Sequence, residues 1–407
     1  MKNQPNRPMP LGSDKAERAV HILMVTGDMR AEAGGPPRVI LGSATALADR
    51  GHRVTIYSIG KGTRETLREN AAVKTETFPA DRPKFLCRSN AMRKRLTETI
   101  DDFDVLHVHG VWEQHAAEAA RYFRSAGKPV LVSAHGMLDH WSMKSARLKK
   151  KASLRLSPTG PMLRKADFIL FGSHEEAGEA RAIISPEKHA IVPNGINLMQ
   201  FSERSTDLQE LAAQFPQLAN WSRTVLYLSR IHPKKGLDLL VDSFLECAEN
   251  FPDAGLLIVG IAQDEDYQRI IEKRIRGSRF ADRIILTTEL TGDQARAALW
   301  QADLFALPSH QEGFSMAIVE ALAAGLPLLI SDKCHVPEVQ AADAGIIVSD
   351  DWRSLEGGLR DMLSATDERL QTMGRNGQRL AAEAYDWKVI ARTLETLYRG
   401  RSAGTTP

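Results

Sequence analysis

Two glutamates and two cations carry the most readable chemistry in this chain. In HQEGFSMAIVEALAAGLP (310–327), Glu312 and Glu320 stand eight positions apart. The stretch 314–324 reads as a helix that starts after a turn at Gly313 and stops at Gly325. Eight residues at the helical rise span about 12 Å. Two carboxylates at that separation could each hold a hydroxyl-bearing sugar, one at either end of a diphosphate. The backbone N–H groups of Gly313, Phe314 and Ser315 would lie between them at the helix start, where anions bind well. In LSRIHPKKGLDLLVDSF (228–244), Arg230 ends a strand and Lys235 precedes Gly236 and a helix. Arg offers phosphate a planar fork and Lys a point charge, so the pair could neutralise a diphosphate. Each signal taken alone also fits ordinary surface chemistry: an acidic first turn, a surface glutamate, or a solvated basic loop, to which Lys234 is assigned.

Two weaker signals sit in the first half. Gly34 and Gly35, in AEAGGPPRVI (31–40), would let a ligand approach the backbone closely, although a simple turn explains them as well. His135 ends a strand in SAHGMLDHW (133–141) and could contact a sugar. His107, His109 and His174 read as structural or surface residues. The nucleotide-cofactor pattern GxGxxG is absent from the first loop, which weakens a dehydrogenase reading.

The elements that must position these residues alternate. Short apolar runs at 20–27, 52–58, 104–110, 129–136, 167–173 and 189–196 read as strands, with a helix over roughly 38–50 after the first. The pattern restarts with runs at 224–230, 255–260, 283–289, 302–309, 326–331 and 344–349. Strand–helix alternation of this kind predicts an α/β architecture of two doubly wound parallel sheets facing across a cleft. The expected domains are 18–196 and 197–385, with the linker near 196–200. The amphipathic segment 386–400 is expected to form a final helix. Ligands in such folds bind at the C-terminal strand ends.

The chain has 407 residues; 43% are hydrophobic and 26% charged, ordinary globular usage that argues against disorder. Three scattered cysteines argue against a disulfide framework and for a reducing compartment. No secretory leader and no bilayer-spanning run is expected. The net charge of +2 hides an asymmetry: residues 1–195 hold 31 Lys+Arg against 21 Asp+Glu, and residues 196–407 hold 22 against 30. Between Asp139 and Asp167 lie Lys144, Arg147, Lys149, Lys150, Lys151, Arg155, Arg164 and Lys165 without an acid, interleaved with Leu148, Leu154 and Leu156. A second acid-free stretch holds Arg82, Lys84, Arg88, Arg93, Lys94 and Arg95. Such segments suit an anionic membrane surface, with Lys149 to Lys151 expected to face lipid, or else a solvated basic face. No nucleic-acid recognition motif accompanies them.

Gly34-Gly35, His135-Gly136, PNGI (193–196), Arg230 with Lys235, and Glu312-Gly313-Phe314 with Glu320 occur in one order. The set resembles the retaining glycosyltransferases of family 4, with the GT-B fold of two Rossmann-like domains, over about residues 20–400. HGMLDHW is similar to a subgroup that builds bacterial cell-surface polysaccharides and usually has Pro where His140 stands. CHVPEV (334–339) keeps Glu338 but departs from the commoner Gly-Gly-x-Pro-Glu. The resemblance implies a UDP- or GDP-linked sugar as co-substrate, no further cofactor, and a saccharide or lipid-linked acceptor. It implies that Glu320 binds the ribose, that Arg230 and Lys235 bind the diphosphate, and that Glu312 with the 313–315 N–H groups holds the hexose and phosphates. His135 would sit beside the reacting sugar, Gly34 and Gly35 near phosphate and acceptor, and Asn194 among the donor-binding residues. No metal is required on this reading: of the Asp-x-Asp pairs, Asp102/Asp104 precedes a strand and Asp264/Asp266 reads as an acidic helix start. The implied setting is cytoplasmic, with possible docking on the membrane's inner face. The rivals are a nucleotide-sugar epimerase, which needs cleft carboxylates that the first half does not evidently offer, and a catalytically silent scaffold subunit.

Overall fold

In a computed structural model, the structure describes residues 18–29, 35–60, 73–83, 87–138, 142–143, 147–181, 183–184, 188–202, 207–288, 290 and 292–400. Two parallel sheets organise them. The first lobe has β1 (His21–Thr26), β2 (Arg53–Ile59), β3 (Val73–Phe78), β4 (Val105–His109), β5 (Val130–Ser133), β6 (Phe168–Phe171) and β7 (His189–Ile191), in the order β3-β2-β1-β4-β5-β6-β7. The second has β8 (Arg223–Leu228), β9 (Ala254–Val259), β10 (Ile284–Thr287), β11 (Leu304–Leu307), β12 (Leu328–Ser331) and β13 (Gly345–Val348), in the order β10-β9-β8-β11-β12-β13. The strand order reverses between β1 and β4 and between β8 and β11, which are the ligand-binding points of such sheets.

The apolar runs predicted these strands because a parallel sheet is covered on both faces. Every residue of β4, β9 and β11 is buried. β3, VKTETF, was not predicted: it is a half-buried edge strand in which polar residues outnumber apolar ones. The first helix spans Gly35–Asp49, three residues earlier than expected, because Pro36 and Pro37 suit a first helical turn.

The final helix, Trp387–Tyr398, packs on the first lobe. Ile390, Ala391, Leu394, Leu397 and Tyr398 join Ile22, Ile40 and Leu47 in one core. Arg50 Nε donates to Glu395 Oε2 at 2.9 Å. The chain therefore crosses between the lobes twice, and the crossings are tied together: Ile196 N–H donates to the Tyr385 carbonyl at 2.7 Å.

Candidate active site

The loops leaving β8 and β11 meet at the switch point of the second sheet. The first runs through Pro233–Lys235 into the helix Leu237–Cys247. Gly236 between them holds φ 64°, and a Cβ there would lie 2.0 Å from the Pro308 carbonyl oxygen of the other loop. Only glycine satisfies both demands. His310 N–H donates to the Lys234 carbonyl at 2.9 Å, a second stitch. This close packing brings Lys235 Nζ to Glu312 Oε1 at 2.5 Å, with both side chains buried. Ser309 Oγ donates to the same oxygen at 2.7 Å. Glu312 Oε2 accepts nothing from the described residues, so one carboxylate oxygen is left for a ligand hydroxyl. The resemblance assigned Glu312 and Lys235 to different parts of a ligand. The structure pairs them with each other, because a buried charge without a partner is strongly penalised.

Arg230 is exposed, and Nη1 donates to the neutral Gln263 Oε1 at 2.8 Å. Its charge stays available to an anion. Glu320 lies on the helix Met316–Ala324, half-buried; burial pushes its carboxyl above the usual range, against the pull of Arg38 and Arg296. Arg38 belongs to the first lobe's opening helix, so a cation from each lobe faces this carboxylate. Ser315 is the N-cap of the same helix, but its side chain makes no capping hydrogen bond. The leading N–H groups are not closed off by a side chain and can receive an anion.

The first lobe meets this corner at His135 and Gly136. A Cβ at Gly313 would come within 3.3 Å of Gly136 Cα. Gly136 N–H donates to Glu176 Oε1 at 2.6 Å, and Gly172 N–H donates to Glu176 Oε2 at 2.7 Å. That carboxylate holds the turn in place. His135 stands at φ 50° and its Nε2 lies 3.0 Å from His109 Nδ1. Burial depresses its ring pKa to about 4, so it is neutral at pH 7.

Known proteins share this plan. Residues 33–200 match the family model "Glycosyltransferase Family 4", and residues 210–380 match "Glycosyl transferases group 1". The chain belongs to glycosyltransferase family 4. It is 26% identical to the phosphatidyl-myo-inositol mannosyltransferase of Mycolicibacterium smegmatis, over 90% of each chain. It is 26% identical to the GDP-mannose-dependent alpha-(1-6)-phosphatidylinositol monomannoside mannosyltransferase of Mycobacterium tuberculosis, over 94% of this chain and 99% of that one. Among solved structures, Anabaena HepE in complex with UDP superposes with TM-score 0.75 at 20% identity, over 93% of this chain and 100% of that one. Sucrose-phosphate synthase from Thermosynechococcus elongatus does so with TM-score 0.75 at 21% identity, over 94% and 98%. The fold is therefore GT-B.

Other parts of the transferase refine the sequence reading. Gly34 lies outside the described residues; Gly35 is the first residue of its helix. The Phe314 ring is committed to packing: its Cβ would lie 3.1 Å from a Cβ on Gly172 of the first lobe, and the ring meets Tyr385 at 5.8 Å. Only its backbone faces the site chemistry expected of it. Asn194 sits half-buried beside the lobe crossing and makes no hydrogen bond with the described residues. Where the family pattern has glycine, His335 adopts φ 56°, in the left-handed region that glycine takes most readily. Asp264 caps the helix Glu265–Arg276, accepting from Tyr267 N at 2.9 Å, and Asp104 accepts from His21 N at 2.8 Å. Neither Asp pair joins the site. Among the described residues no group of three His, Cys, Asp or Glu is placed to hold a metal ion, and no helix is long and apolar enough to cross a membrane.

The basic stretches divide. Lys150 turns inward: its Nζ donates to the Ser142 carbonyl and lies 5.5 Å from the Trp112 ring centroid. That corrects the expectation that Lys150 faces lipid; the side chains of Lys149 and Lys151 lie outside the described residues. Arg95 is bound to Glu76 at 3.0 Å. Arg155, Arg164 and Lys165 are exposed, and Leu156 at the end of the helix Arg147–Leu156 is 87% exposed.

Sequence reasoning missed Trp112 and Glu113. They follow β4, at the switch point of the first sheet. Glu113 Oε2 would lie 2.9 Å from a Cβ on Gly110, and Oε1 would lie 3.4 Å from one on Gly27. Glu113 Oε2 and Trp112 Nε1 are buried without a hydrogen-bond partner among the described residues. One is an acceptor and the other a donor, the two kinds of group a ligand hydroxyl can meet. The epimerase rival was set aside for want of a carboxylate here, and Glu113 removes that argument. The available signal was an aromatic–acid pair placed directly after a buried strand, in HGVWEQ.

Proposed function

We propose that this family 4 enzyme is a retaining, metal-independent transferase. It moves a hexose from a UDP- or GDP-linked donor to a saccharide acceptor in cell-surface polysaccharide synthesis (exopolysaccharide, lipopolysaccharide or capsule). Glu320 takes the ribose hydroxyls. Arg230, assisted by Lys235 and the N–H groups at the start of the helix Met316–Ala324, takes the diphosphate. Glu312 Oε2 and the Gly313 corner take the hexose, with His135 opposite and Gly34 and Gly35 beside the phosphate and acceptor. Negative charge grows on the leaving phosphate oxygen as the glycosidic bond breaks, and fixed donors aimed at it lower the barrier. That oxygen then accepts the acceptor's proton on the same face, which preserves the anomeric configuration. The observation that carries this reading is the buried Lys235–Glu312 pair, which leaves one carboxylate oxygen open directly beside an uncapped helix start.

Several relatives support a lipid-linked acceptor. A Xanthomonas oryzae protein 26% identical over 73% of this chain and 74% of that one is a GDP-mannose:cellobiosyl-diphosphopolyprenol alpha-mannosyltransferase. Exposed Leu156 beside Arg155, with Arg164 and Lys165, supports docking on an anionic inner leaflet, where each basic residue near the surface contributes about 1 kcal/mol. The test is incubation of the protein, with a chelator present, with UDP- and GDP-hexoses and saccharides on polyprenyl diphosphate. NMR then reads the new anomeric bond. The expected product keeps the donor's α configuration. An inverted product, or one that forms only after a divalent metal is added, overturns the mechanism. Donor conversion without an acceptor favours the epimerase, and failure to bind any donor favours the scaffold.

A further inference from the structure

His109 faces the same side of β4 as His107, two residues earlier, and the two rings lie 4.1 Å apart. His107 is fully used: Nδ1 meets the Tyr398 hydroxyl at 2.7 Å and Nε2 meets Ser133 Oγ at 2.8 Å. Hydroxyls both donate and accept, so they impose nothing on that ring. His109 has less freedom. Its Nδ1 lies 3.0 Å from His135 Nε2, and its own Nε2 is buried without a partner among the described residues. Burial holds both rings neutral, each with one ring proton. Two arrangements fit the 3.0 Å contact. If His135 donates, the His109 proton sits on Nε2, an N–H sealed from water with nothing to receive it. If His109 donates, its Nε2 is a bare lone pair. Buried orphan N–H groups are the rarer defect, so the second arrangement wins.

We propose that His109 is a positioning residue that fixes the tautomer of His135: His109 Nδ1–H donates to His135 Nε2, and His135 therefore carries its proton on Nδ1. That nitrogen makes no hydrogen bond with the described residues, and the neighbouring Gly136 abuts Gly313 of the second lobe. His135 thus meets its ligand as a hydrogen-bond donor, toward a hydroxyl or phosphate oxygen of the nucleotide sugar; this clause rests on the function proposed above. A nitrogen that already holds a proton cannot remove one, so His135 is not the general base for the acceptor.

The test is a long-range proton–nitrogen NMR correlation on ligand-free, ¹⁵N-histidine-labelled protein, with the His135 pattern assigned by its loss in His135→Gln. The expected result is a protonated Nδ1 and a bare Nε2 on His135; the reverse overturns the proposal. His109→Phe removes the donor and should release His135 into a tautomer mixture. His109→Gln, whose amide can donate, should restore the Nδ1–H form. An unchanged tautomer in His109→Phe overturns the role of His109. Should that variant fail to fold, the wild-type pattern still decides. Because no ligand is present, a failed donor-binding experiment leaves this result standing.

Discussion

The two lobes share a sheet plan but differ in how their switch points are finished. In the second lobe, the loops after β8 and β11 are pinned at Gly236 and Pro308, and the buried charges there have partners within the lobe. At that corner Lys235 Nζ and Glu312 Oε1 are satisfied within the lobe, and Glu312 Oε2 is left open. In the first lobe, His109 Nε2, Trp112 Nε1 and Glu113 Oε2 are all buried and unpartnered at the cleft edge. Each such group costs about 1–3 kcal/mol in the free protein. The difference teaches that the second lobe holds its buried charges with partners of its own, whereas the first lobe's edge carries buried polar atoms that no described residue satisfies.

The comparison can be broken in stability and in binding. Glu312→Gln leaves the Lys235 ammonium buried without its counter-charge and should lower stability by about 3–5 kcal/mol in urea denaturation. A loss below 1 kcal/mol would show that the second lobe does not depend on the pair.

The first lobe's histidines give the next effect. Burial, reinforced by the His135 charge, depresses the His107 pKa from 6.5 to about 3. The native ring stays neutral while the unfolded ring takes up a proton below about pH 6.5. Stability therefore falls as pH drops from 6.5 towards 3, by about 1.4 kcal/mol per unit for this ring. Denaturation midpoints at pH 7 and pH 4.5 should show the decline, and His107→Gln should make it shallower. An identical slope in the variant contradicts the assignment.

Arg230→Ala removes a charge-assisted contact without disturbing a buried partner. It should weaken UDP or GDP binding by about tenfold to a hundredfold, measured by calorimetry, at unchanged stability. Smallest of all, Glu113→Gln should leave folding stability unchanged or raise it by about 1 kcal/mol, because no partner is lost. A destabilisation larger than that would place Glu113 in the fold rather than in a site.

Much of this was legible in the sequence. Twelve strands were marked by apolar runs, since parallel strands are buried on both faces; polar β3 at the sheet edge carried no such mark. Glu312, Glu320, Arg230 and Lys235 were readable because their spacing is local to strand–loop–helix units. The Lys235–Glu312 contact, between residues 77 positions apart, was not, because it depends on the fit of Gly236 against Pro308. The service of His109 to His135 was hidden for the same reason: β4 and β5 must pair before the rings can meet. Glu113 shows its significance only once Gly27 and Gly110 stand beside it.

The central claim is that the second lobe grips a nucleotide diphosphate sugar between Glu320 and Glu312. Calorimetric titration of UDP- and GDP-hexoses into the wild-type protein and Glu320→Ala tests it most directly. The account predicts saturable binding of one nucleotide class, weakened about tenfold or more in the variant while folding stability is kept. Equal affinity in both proteins would contradict it.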